Sequence, residues 1–156
     1  MDRHYGEFQI VELPAFRAAC WRSIGTEPEN ESQMALDRWF ASRAFTGFIP
    51  RRFGFDVEVP PQQAAAGVRG YESWYTLPDS WPADGSITVV EFPGGKFAHL
   101  LITDPFTDAF AVIPEGWQRL VAWTTQNCRE GAGQQCLEEI IETASGPALG
   151  LYLPVG

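Results

Sequence analysis

The sequence predicts an α+β fold: duplicated βαββ units forming an antiparallel sheet, with two helices on one face and a ligand cleft on the other. Two observations carry this expectation. The elements read along the chain run β-α-β-β and then β-α-β-β again. The two predicted helices also share a spacing, Leu36-x-x-Trp39 and Leu120-x-x-Trp123. Identity between the halves is weak, so the duplication rests mainly on element order. The 156 residues suit one domain spanning residues 1–156, with halves at about 1–80 and 85–156.

Taken in order, "FQIVELPAFRAACWRSIG" is strand material, bent at Pro14 and ended by Gly25. "TEPENES" is turn-like, and Asn30 with Gln33 resembles a capping box opening a helix over 31–45, with Leu36, Trp39 and Phe40 as its apolar stripe. "FIPRRFGFDVEVPPQQ" reads as a strand broken at Pro60 and Pro61, and "AAAGVRGYESWYTLP" as the next, closed by Pro78. "DSWPADGS" is a linker. "ITVVEFPGGKFAHLLITDP" gives two short strands, or one interrupted around Pro93-Gly94-Gly95. Pro114 suits a first helical turn, which predicts a helix over 114–127 with Trp117 and Leu120 on one face. "CLEEIIE" and "LGLYLPV" are the closing strands.

Composition narrows the function. The chain is 45% apolar and 20% charged, a globular profile, and its net charge of −9 disfavours direct binding to a phosphate backbone. No apolar run reaches the length of a membrane span, and "MDRHYGEFQIVELP" has no signal-peptide core, so a cytoplasmic location is expected. Three cysteines without a C-x-x-C pair and two distant histidines give no metal site, and no cofactor is expected. A homodimer is left open beside a monomer.

Strand alternation then picks out candidate site residues. In "RGYESWYTLP", Gly70, Glu72 and Trp74 share one face, setting a carboxylate beside an indole on which a flat cation can stack. In "CLEEIIE", only one of Glu138 and Glu139 can face a cleft. The face holding Leu137, Glu139 and Ile141 is the more apolar, which assigns it to the helices and Glu138 to the cleft. Trp117 sits at core spacing on its helix but is also a candidate contact. Trp21, Tyr71 and Tyr152 are candidate walls on residue type alone.

Seven stretches in order, "FQIVELPAFRAACWR", "FGFDVEVP", "GYESWYTLP", "VVEFPGGKFAHL", Trp117-x-x-Leu120-x-x-Trp123, "CLEEI" and "LYLPV", resemble the GyrI-like family, which includes the effector domains of some AraC- and MerR-type regulators. The resemblance implies a cleft near a pseudo-twofold axis, lined by aromatics and an acidic residue, that meets lipophilic and often cationic ligands. The acidic position carries over to Glu138, with Ile140 where the family often has Tyr. No stretch is left for a helix-turn-helix domain, so the stand-alone form is expected. Three functions follow: a module binding flat hydrophobic xenobiotics, cationic ones among them; a hydrolase opening the cyclopropane of cyclopropanoid genotoxins, with Glu72 and Glu138 activating water; or an inhibitor that engages a protein such as a topoisomerase. Trp21, Glu72, Trp74, Trp117, Glu138 and Tyr152 are the residues assigned to the ligand in the first two.

Overall fold

The strands are β1 (Gln9–Leu13), β2 (Phe16–Gly25), β3 (Arg52–Val57), β4 (Arg69–Thr76), β5 (Thr88–Phe92), β6 (Gly95–Thr103), β7 (Leu137–Thr143) and β8 (Gly146–Pro154). The helices are α1 (Pro28–Arg43), α2 (Pro61–Ala65) and α3 (Ala109–Asn127). This computed structural model describes residues 2–43, 45, 47–131 and 133–156. Ala44, at the end of the first expected helix, lies outside the described residues.

The chain forms two compact units, one of residues 16–92 and one of residues 1–15 with 93–156. In the first, the strands lie in the order β3-β4-β2-β5; in the second, β7-β8-β6-β1. The pairings within both units are antiparallel. Each unit is therefore a βαββ motif with one added edge strand, as the α+β expectation required. β1 lies in the second unit and β5 in the first. β1 pairs with β6 (Gln9↔His99 to Leu13↔Gly95) and β5 pairs with β2 (Phe16↔Phe92 to Cys20↔Thr88). The two edge strands also share a sequence, Ile10-Val11-Glu12-Leu13-Pro14 against Val89-Val90-Glu91-Phe92-Pro93. This signal of duplication is sharper than the helical Leu-x-x-Trp spacing.

Helix α1 packs on β2 and β4, and α3 on β6 and β8. Under α1 lie Ala19, Leu36, Tyr75 and Leu77, flanked by Trp39 and Phe40. Between α3 and its strands, Val112 and Leu120 of the helix meet Leu100, Ile102, Leu149 and Leu151. Both leucines of the shared spacing are fully buried, each contributing about 1.5–3 kcal/mol through its loss of water contact. Gly54 on β3 stands opposite Ser73. The Tyr71 ring crosses it so closely that a Cβ there would lie 2.6 Å from Cζ, which explains a glycine inside this strand.

The helix boundaries differ from the sequence expectation at both N-termini. α1 opens at Pro28, whose fixed φ suits a first helical position, so Asn30 lies in the first turn and is not the cap. α3 opens at Ala109, with the Asp108 carbonyl accepting from Ala111 and Val112, so Pro114 lies inside the helix. The proline removes one ladder donor. The buried stripe of Val112, Gly116, Leu120 and Thr124 continues across it nonetheless. α2 occupies a stretch read as a broken strand, where Pro61 begins a single short turn of helix.

Candidate functional site

In the first unit, the helix side of β4 is fixed by contacts with α1. Ser73 Oγ meets Ser32 Oγ at 2.7 Å, and the Tyr75 hydroxyl donates to Asp37 at 2.9 Å. Burial, then the Asp37 carboxylate, pushes the Tyr75 phenol well above its ordinary value. Alternation turns Gly70, Glu72 and Trp74 to the opposite face. There the register places Arg22 across from Glu72, and both Cys20 and Phe53 across from Trp74.

Glu72 is only 6% exposed and is held on both oxygens. The Arg22 guanidinium reaches Oε1 with Nε and Nη2, both at 2.8 Å. The Trp74 indole N–H donates to Oε2 at 2.6 Å. Around this pair the rings of Phe16, Phe55 and Phe92 stand 6.4, 5.2 and 6.2 Å from the indole, and Phe16 stacks on Phe53 at 5.1 Å. The expected juxtaposition of Glu72 and Trp74 is present, but the carboxylate is engaged by the indole edge and a guanidinium.

Cys20 completes this face. Burial, followed by the Glu72 carboxylate, pushes its thiol up from 9.0 to about 12. A thiol whose folded pKa exceeds its unfolded value favours the fold in its protonated form. That contribution is complete below about pH 9 and is lost as pH rises toward 12. We expect the native protein to take up iodoacetamide at pH 8 on Cys128 well before Cys20, by mass mapping. The Cys20→Ala variant should lose less stability between pH 9 and 11 than wild type; equal alkaline slopes would contradict the assignment.

The second unit reverses the expected facing of β7. Glu138 lies across from Leu151, on the side of α3, where the Trp117 indole N–H donates to Glu138 Oε2 at 3.0 Å. Ile140 packs there against the α3 core. Leu137, Glu139 and Ile141 point the other way. The assignment of Glu138 to the open side assumed that the more apolar face meets the helix. It fails because the face away from α3 is itself buried and aromatic.

Glu139 is 5% exposed and accepts the Tyr152 hydroxyl at 2.7 Å. The Tyr152 ring stacks on His99 at 4.6 Å and meets Phe97 edge-on at 6.3 Å. His99 Nδ1 lies 3.0 Å from the Leu151 carbonyl, so that nitrogen carries the proton and donates. Gly150, across from Glu139, leaves room for these rings: a Cβ there would lie 3.0 Å from His99 Cε1 and 3.3 Å from Tyr152 Cε2.

The repeat aligns the two faces. Thr88 and Gln9 occupy equivalent places on β5 and β1, and they pair with Cys20 and His99. Those in turn pair with Trp74 and Tyr152. Each unit thus sets an aromatic donor at one position and a buried carboxylate within its reach, Glu72 on β4 in one and Glu139 on β7 in the other.

Of the residues singled out from sequence, Glu72 and Trp74 share one face, while Tyr152 lies on the corresponding face of the other unit. Trp117 and Glu138 meet on the α3 side. Trp21 lies opposite Ser73 on the α1 side, 44% exposed. Sequence reasoning weighed Glu139 but turned it toward the helix, and it passed over His99 and Arg22; the Glu12 and Glu91 repeat, extended along the following strands, is the signal that points to His99. Among the described residues no cluster has the side chains to hold a metal ion. Among the described residues no helix is long and apolar enough to cross a membrane.

No family model and no curated protein matches the chain by sequence. Solved structures match its fold. The C-terminal domain of EcmrR shares 13% identity at a TM-score of 0.68, covering 96% of this chain and 97% of that one. SAV2435 bound to tetraphenylphosphonium shares 10% at 0.57, covering 97% and 94%. A hydrolase from Listeria innocua shares 15% at 0.59, covering 96% and 92%. These likenesses establish the fold and are consistent with a GyrI-like architecture.

Proposed function

We propose that the protein is a GyrI-like binding domain for flat hydrophobic small molecules, delocalised aromatic cations among them. The observation that carries this reading is the repeated pairing of a buried carboxylate with an aromatic donor, Trp74 on Glu72 and Tyr152 on Glu139, on the sheet faces turned away from α1 and α3. A carboxylate among rings attracts a delocalised cation more strongly than water permits, because screening there is weak. The tetraphenylphosphonium bound to SAV2435 is a lipophilic aromatic cation, tetrahedral and not flat.

The test is titration with tetraphenylphosphonium and with a neutral polyaromatic dye. Both should bind saturably. Glu139→Gln should weaken the cation about tenfold or more, roughly 1.4 kcal/mol, and leave the neutral dye within about twofold. Glu138→Gln should change neither, since its carboxylate faces α3. Trp74→Ala should weaken both ligands. Loss of cation binding in Glu138→Gln with none in Glu139→Gln would overturn the assignment.

A second reading uses the same groups. The Tyr152 hydroxyl fixes Glu139 in place, as a general base requires, and one structural neighbour is described as a hydrolase. In that reading Glu139 takes a proton from water as its oxygen attacks the cyclopropane methylene of a cyclopropanoid. The broken C–C bond sends its electron pair to the conjugated carbonyl, which is protonated to a phenol. Release of the hydrated adduct, lost in Glu139→Gln with the adduct's precursor still bound, distinguishes hydrolysis from binding.

A further inference from the structure

We infer that Arg22 determines the charge preference of the first unit's aromatic face by serving as a built-in counter-ion to Glu72. This deepens the binding role proposed above and rests on it. The geometry leaves little room for another cation at Glu72. Two guanidinium nitrogens converge on Oε1 at 2.8 Å, and the Trp74 indole takes Oε2 at 2.6 Å. The carboxylate is 6% exposed, so its charge is met where water is largely excluded. Arg22 itself is half in solvent, its side chain 55% exposed. It thus reaches inward from the surface to close an acidic position that would otherwise draw a cationic ligand.

A tethered guanidinium competes with a free cation at high effective concentration, because binding it costs no translational freedom. The first face is therefore electrically closed, and what it offers a ligand is ring surface: Trp74 with Phe16, Phe55 and Phe92. Glu72 acts through Trp74. It pins the indole edge so that the ring's orientation is fixed before a ligand arrives, which lowers the cost of ordering it on binding. Glu72 is on this account a positioning residue, and Arg22 is the residue that decides which charge the face accepts.

The second unit supplies an internal comparison. Two residues beyond Cys20 on β2 stands Arg22; two residues beyond the equivalent His99 on β6 stands Leu101. The position that carries a cation in one unit carries an aliphatic side chain in the other. Each unit carries an acid on this face, Glu72 on β4 and Glu139 on β7 at non-equivalent positions, and a guanidinium stands at this position in only one.

The experiment is a comparison of affinities for tetraphenylphosphonium and for a neutral polyaromatic dye, expressed as a ratio, in wild type, Arg22→Leu, Arg22→Lys and the double variant Arg22→Leu/Glu72→Gln. Arg22→Leu should raise the cation-to-neutral ratio about tenfold or more, the scale of one charge-assisted contact. Arg22→Lys should restore the wild-type ratio, and the double variant should return to it as well because no charge remains to attract the cation. Should Arg22→Leu fail to fold, Arg22→Gln tests the same charge with a polar side chain. A ratio unchanged by the loss of Arg22, or raised equally in the double variant, overturns the role of Arg22 alone. A wild-type protein that binds neither compound overturns the binding function, and this role with it.

Discussion

Leu120→Ala is expected to lower the unfolding free energy by about 2–5 kcal/mol, the largest loss from any single substitution considered. Leu120 has no exposed surface and projects from α3 against Leu100, Ile102, Leu149 and Leu151, all themselves buried. Truncation removes apolar burial and leaves a cavity whose walls are strand side chains already in register, so they collapse poorly into it. Leu36→Ala, equally buried under α1, is the matched substitution in the other unit. Chemical denaturation monitored by tryptophan fluorescence measures both. A loss below about 1 kcal/mol for either would mean that its helix contributes little to holding its sheet.

Gly54→Ala should destabilise the first unit by about 1–3 kcal/mol, although it adds only one methyl group. The added carbon would collide with Cε2, Cζ and Oη of Tyr71, with Cζ at 2.6 Å. Tyr71 is buried, so its ring cannot swing into solvent without exposing core. Pairing Gly54→Ala with Tyr71→Leu should recover part of the loss, because the obstructing ring is gone. Thermal unfolding of the two single variants and the double forms a cycle that isolates the collision. Additive losses would show that the strain lies in the backbone of β3 and not in the ring.

Much of the architecture was legible because it rests on local pattern. The stripe of Leu36, Trp39 and Phe40 located α1, and alternation along β4 put Glu72 and Trp74 on one face, where the structure has them. The pairing of β1 with β6 was not legible in the same way. Pro14 reads as a bend within one long strand, and nothing local says that the strand before it joins a partner far along the chain. The facing of β7 was misjudged for a different reason. Sorting faces by apolarity assumes one wet face, whereas Phe97, Tyr152 and Glu139 form a buried face opposite α3. When both faces are dry, hydrophobicity cannot choose between them. The partners of the acids choose instead: Trp117 for Glu138 and Tyr152 for Glu139.

The exchange of edge strands bears on how the molecule is made. During synthesis β1 leaves the ribosome before β2 to β5, yet its pairing partner β6 emerges only after the other unit's strands are complete. β5, the last strand of that other unit, is followed directly by β6, so one short run of translation completes the first unit's strands and supplies β1 with its partner. Until then the nascent chain carries "QIVEL" as an unpaired apolar strand, the kind of segment that invites association with other chains. Glu12, the fourth of its five residues, gives that waiting strand a charge that discourages premature partners. The crossing of β1 thus ties completion of the second unit to synthesis of the first, since β1 waits for β6 until residues 16–92 have been made.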